Sequence, residues 1–147
     1  AIERLPVIDE RLFLVSARAR RQAAAIGKPV TLAEVAAHEL VIPSRPHSIR
    51  MQVETALAAA GLRPRIGVEI ESVPAILDLV EHHALHAVLS LNALRGREAA
   101  LQARPVMLGS GQPLATPLAI ATSAQRPRGP LVEQGTALVR ELLLALW

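Results

Sequence analysis

Residues 39–91 read ELVIPSRPHSIRMQVETALAAAGLRPRIGVEIESVPAILDLVEHHALHAVLSL, and the order of signals along them decides the fold. Residues 40–42 form an apolar run of strand length, broken by a Ser/Pro-rich turn at 44–48. Pro46 suits a first helical position there, and Ser44 or Ser48 suits a cap. Ile49, Val53, Ala56, Leu57 and Ala60 then recur at the spacing of one helix face. Gly61 supplies the stop, and Pro64 forbids continuation. Residues 65–70 make a second strand. Ser72 opens a second helix, carried by Ile76, Leu77, Leu79 and Val80 to about His82. Residues 87–91 make a third strand.

Outward from this stretch the same alternation continues. Residues 5–15 contain the apolar run LFLV, which reads as a strand, and 17–28 as an exposed loop. Thr31 and Glu34 have capping-box spacing, with Val30 placed to staple onto Val35, so a short helix over 32–38 is expected. On the other side, residues 92–103 read as a short helical segment, 104–108 as a strand and 109–113 as a turn. Residues 114–122 read as a strand whose Pro117 implies an edge or a crossing point. Residues 131–147 form the strongest helix, with Leu131, Leu138, Leu142 and Ala145 on one face. Strands alternating with helices argue for an α/β domain with a largely parallel sheet. In such folds ligands sit past the carboxyl ends of strands, which selects the turns after Ile42 and Ile70.

Composition narrows the function. The 147 residues are 51% hydrophobic and 20% charged, enough apolar material for a core. One Phe, one Trp and no Tyr make that core aliphatic, and the absence of Cys removes disulfides and thiolate-ligated metal. The net charge of +3 rests on scattered arginines, with Arg18, Arg20 and Arg21 the tightest group. A nucleic-acid groove needs a basic stripe with stacking aromatics, and neither is present. No apolar run approaches the ~20 residues of a membrane span. The N-terminus lacks a signal-peptide pattern and starts directly in a strand, as the middle of a longer protein would.

Two turns carry the polar chemistry. Ser44, Arg45, His47 and Ser48 follow a strand and precede a helix, so hydroxyls, an imidazole and free backbone N–H groups converge where a carboxylate is readily held. Ser72 repeats the arrangement after the next strand. His82 and His86 have i, i+4 spacing, with Glu81 or Asp78 as a third ligand for metal. The helix ends between the two, however, which argues against a metal site. Glu69 and Glu71 alternate on a strand and read as a solvated edge. No catalytic nucleophile arrangement, catalytic pair or cofactor-binding loop is present.

The stretch from ELVIPSR to AVLSLNAL, flanked by LPVIDERLFLVSA, PVTLAEVAAHE and PLATPLAIATS, resembles the effector-binding domain of LysR-type transcriptional regulators over nearly the whole chain. The resemblance implies a type 2 periplasmic-binding-protein-like α/β fold with the second lobe complete and the first lobe partial. Residues 1–16 are then a first-lobe and crossing strand, 17–113 the second lobe, and 114–147 the return crossing strand and C-terminal helix. It implies an N-terminally truncated chain that lacks the family's helix-turn-helix, so promoter DNA is reached only through the intact protein. It also implies a homodimer or tetramer in that protein, a cytoplasmic location, and a small-molecule effector, plausibly a carboxylate. By matching position the ligand contacts are Ser48, His47 and Ser44; Ser72 joins them from the reading of the second turn alone. The family usually has two glycines before the AVLS strand, where this chain has His83 and Leu85. The alternatives are a solute-binding protein for transport, which shares the fold, and an enzyme using His82, His83 and His86 with a metal. The resemblance implies neither catalysis nor a cofactor.

Overall fold

The computed structural model describes residues 1–19, 26–125 and 129–146. Two of the basic cluster, Arg20 and Arg21, residues 126–128 before the last helix, and Trp147 lie outside the described residues. The described chain forms β1 (Ile2–Ala17), β2 (Val30–Thr31), α1 (Leu32–Ala37), β3 (Glu39–Ile42), α2 (Ser48–Ala59), β4 (Arg65–Glu69), α3 (Val73–His82), β5 (Ala87–Ser90), β6 (Leu101–Met107), β7 (Ala115–Ser123) and α4 (Pro130–Leu146). It divides into two compact units, one of Ala1–Glu10 with Pro117–Trp147 and one of Arg11–Thr116.

The larger unit is layered by the period-2 geometry of its strands. In β1, Leu12 and Leu14 enter one core cluster while Phe13 and Val15 enter another. β3 splits likewise, with Leu40 and Ile42 on one side and Val41 on the other. Helices α1 and α2 close the first cluster through Leu32, Val35, Val53 and Leu57, and α3 closes the second through Ile76, Leu77 and Val80. Strands covered on both faces explain the continuous apolar runs LFLV and LVI. Strand order is β2-β6-β1-β5, and β3 pairs with β4. A bridge between Leu40 and His86 joins β3 to the start of β5.

Two expectations are corrected. The sheet is mixed: β3–β4 and β2–β6 are parallel, but β1 runs antiparallel to both β5 and β6. Both pairings of β1 join segments more than 65 residues apart in the chain, so alternation of strands and helices along the sequence does not fix their direction. Residues 92–103 are not a helix. A 3-10 turn over Leu91–Leu94 ends before Gly96, whose φ is +82°, and Leu101 and Ala103 pair in β6 with Ala17 and Val15. Burying those two side chains in the sheet outweighs local helix preference.

The short helix α1 forms as its sequence predicts. Thr31 N–H donates to Glu34 at 2.9 Å, and Glu34 N–H donates to the Thr31 hydroxyl at 3.2 Å. In the smaller unit, α4 is amphipathic but buries none of its side chains, and Leu131, Leu138 and Leu142 are all exposed.

Candidate ligand site at the ends of β3 and β4

The parallel register of β3 and β4 decides where the two serine turns fall. Ile42 is opposite Glu69, and the Ile70 N–H continues the ladder to the Ile42 carbonyl at 3.2 Å. The segments leaving both strands therefore emerge side by side. Ser44 and Glu71 meet: the Ser44 N–H donates to Glu71 Oε1 at 3.0 Å, and the Ser44 hydroxyl donates to the same oxygen. These donors hold the Glu71 carboxyl below the usual carboxylate range, the hydroxyl contributing most, then the N–H, with the nearby His47 adding to them.

The helix cap differs from the sequence expectation. Pro46 is not the first helical residue and neither serine caps α2. Its N-cap is His47, whose Nδ1 accepts the Ile49 N–H at 3.2 Å. An accepting Nδ1 places the neutral ring's proton on Nε2. Ser48 becomes the first residue of the helix; its side chain is exposed and has no partner among the described residues. Ser72 does take the N-cap position of α3, with its carbonyl accepting the Ile76 N–H at 2.9 Å, but its hydroxyl makes no capping bond. Ser44 and His47 are half-buried, while Ser48 and Ser72 are exposed. The structure thus brings Ser44 next to the Glu71–Ser72 turn and leaves the hydroxyls of Ser48 and Ser72 unspent on capping. Two grooves of the same unit, one of 420 Å³ along α2 lined by Leu32, Gln52, Ala56 and Leu108 and one of 260 Å³ lined by Ile26, Leu94 and Leu101, do not include them.

Beneath the turn lies an arginine that sequence reasoning passed over. Arg50 is 5% exposed. It donates from Nε to Glu54 at 2.5 Å, and through one terminal nitrogen to the Pro43 carbonyl and to Glu69, each at 3.1 Å. Burial opposes its charge, but the bonds to Glu54 and Glu69 outweigh it, and its pKa is raised. Glu54 also accepts from Arg45 at 2.9 Å, the largest influence lowering its own pKa, ahead of Arg50. Arg50 thereby ties the residue that follows β3, the first two turns of α2 and the end of β4 into one frame. Glu69 and Glu71 are both exposed, as expected of a solvated edge, and they are also the acceptors that join this edge to the turn. One signal for Arg50 was available: with Val53 and Leu57 it repeats at core-facing helical spacing, and Glu54 sits four residues on.

The histidine group does not assemble. Asp78 and Glu81, the carboxylates considered as metal ligands, both hold Arg97, at 2.6 and 3.1 Å. His86 stacks on His38 with ring centroids 3.9 Å apart, and its Nδ1 is buried without a partner. Among the described residues no three His, Cys, Asp or Glu side chains converge as a metal centre. No described helix is long and apolar enough to cross a membrane. The turn expected from the family's glycines falls between them. The residue with positive φ is Ala84, at +53°, and not His83 or Leu85.

Comparison with known proteins agrees with this architecture. The family described as LysR substrate binding domain matches residues 1–144. Corynebacterium glutamicum OxyR, a C206 mutant, superposes with a TM-score of 0.77 at 15% identity, covering 98% of this chain and 44% of that one. Full-length CbnR complexed with its target DNA gives 0.74 at 24% identity, covering 95% and 46%. The regulatory domain of Synechocystis PCC6803 CcmR in complex with 2-PG gives 0.76 at 15% identity, covering 96% and 66%. The chain spans less than half the length of the first two.

Proposed function

The chain belongs to the LysR substrate-binding-domain family, and from that premise we propose that it is the effector-sensing part of a LysR-type transcription regulator. A small molecule binds at the Ser44–Ser48 turn, contacted by Ser44, His47 and Ser48, with Ser72 from the adjoining turn. The observation that carries this reading is the convergence of the two post-strand turns, with the Ser48 and Ser72 hydroxyls left out of helix capping. Backbone N–H groups and hydroxyls at a helix start favour an anionic group, so a carboxylate is the effector class proposed. The CcmR regulatory domain was solved with 2-PG, which supports a small polar effector for this fold.

The reading assigns no chemistry to the bound molecule. Differential affinity for two arrangements of the intact protein shifts their populations, and with them the geometry offered to DNA. In that intact protein a helix-turn-helix reaches the promoter, the oligomer is a dimer or tetramer, and the site of action is the cytoplasm. The family match favours this reading over a solute-binding protein for transport.

Calorimetry on carboxylates selected by thermal-shift screening tests the site. Ser48→Ala is expected to weaken binding roughly three- to tenfold, the value of one hydrogen bond, without lowering stability, because Ser48 is not the cap. Unchanged affinity overturns the assignment.

A further inference from the structure

The position proposed for a ligand's carboxylate already holds a carboxylate of the chain. Glu71 Oε1 accepts both donors of Ser44, the N–H at 3.0 Å and the hydroxyl. Glu71 itself is exposed and lies in the loop between β4 and α3, so no packing fixes its side chain in place. The surrounding frame is rigid by comparison: Arg50 fastens Pro43 and Glu69 on either side, independently of Glu71. Leaving the turn therefore costs Glu71 two hydrogen bonds and no part of the core.

We propose that Glu71 is a tethered competitor: it occupies the anion position of the Ser44 turn, and a carboxylate effector binds by displacing it. This inference rests on the reading of the 44–48 turn as the ligand site. A carboxylate on a short tether competes at a local concentration in the millimolar range, so it sets a threshold below which effector does not enter. Displacement also reaches α3. Ser72 follows Glu71 directly, and its carbonyl accepts the first-turn N–H of Ile76. An effector that expels Glu71 therefore acts on the start of the next helix as well as on α2.

The test uses the 147-residue chain and sodium acetate, with sodium chloride at equal ionic strength as control, followed through the Ser44 amide resonance. Glu71→Ala is expected to give a saturable acetate response at a concentration about tenfold lower than wild type, as for a site vacant about a tenth of the time. Glu71→Gln keeps an acceptor oxygen without its charge and is expected to fall between them. Thermal unfolding checks that both variants are folded; should the Ala variant not be, the Gln variant decides by the same comparison. Superimposable curves for variant and wild type, or no saturable response in the variant, overturn the proposal. Failure here with Ser48→Ala still weakening effector binding removes the competitor alone. Failure of the Ser48 test removes the site itself.

Discussion

At the scale of single residues, Arg50 is the group on which the turn depends. A guanidinium in a nearly buried position survives because three acceptors replace its water. Its carboxylate partners are less buried than it is, 16% exposed for Glu54 and 49% for Glu69, so they are rehydrated if it is lost. Arg50→Met is therefore expected to cost about 2 kcal/mol, less than the roughly 3–5 kcal/mol of breaking a fully buried ion pair. Urea denaturation measures this, and a cost under a few tenths contradicts the frame described. His86 makes a pH prediction. Burial first, and the neighbouring His38 second, push its pKa below 6.5, so the fold prefers the neutral ring. The unfolded chain protonates first as pH drops. Stability attributable to His86 is therefore whole above 6.5 and declines below it until the folded ring titrates as well. His86→Gln is expected to flatten the stability profile just below pH 6.5, and an unchanged profile removes the argument.

At the scale of elements, what was legible in the sequence was local. The Thr31/Glu34 capping box, the α2 stripe and its Gly61 stop are set by residues within a turn or two of each other, and all three form. Thr31→Ala is expected to cost about 1 kcal/mol in thermal or urea unfolding, since it removes a helix-cap acceptor. The illegible parts were set by strand pairing between distant residues. Leu101 and Ala103 joined β6 because β1 offered a partner some 85 residues earlier in the chain. The roles of Glu69 and Glu71 depended on β4 lying beside β3, which alternation along β4 alone does not reveal. The candidate site was half legible for the same reason: its serines stand at predictable strand ends, but the arginine below them and the glutamate across from them come from tertiary contact. The β5 approach shows a local rule satisfied at a shifted position. The chain needs one left-handed residue there and uses Ala84, the smallest side chain of the three from His83 to Leu85. Ala84→Gly is expected to stabilise the chain by about 1 kcal/mol by removing that steric cost.

At the scale of the whole molecule, the two units differ in how far their helices are packed. The Arg11–Thr116 unit has helices on both sides of its strands and two apolar clusters, which makes it the proposed sensor frame. The smaller unit presents α4 with Leu131 83% exposed and Leu138 and Leu142 each more than half exposed. The chain also covers under half of the OxyR mutant and of full-length CbnR. On the proposal made above, the turns after β3 and β4 form one ligand site. Backbone amide mapping during titration of the chain with a panel of small carboxylates tests it most directly. Saturable shifts grouped at residues 44–48 and 71–72 are expected. Shifts grouped along the α2 groove instead, or no saturable shift in either turn with any member of the panel, contradict it.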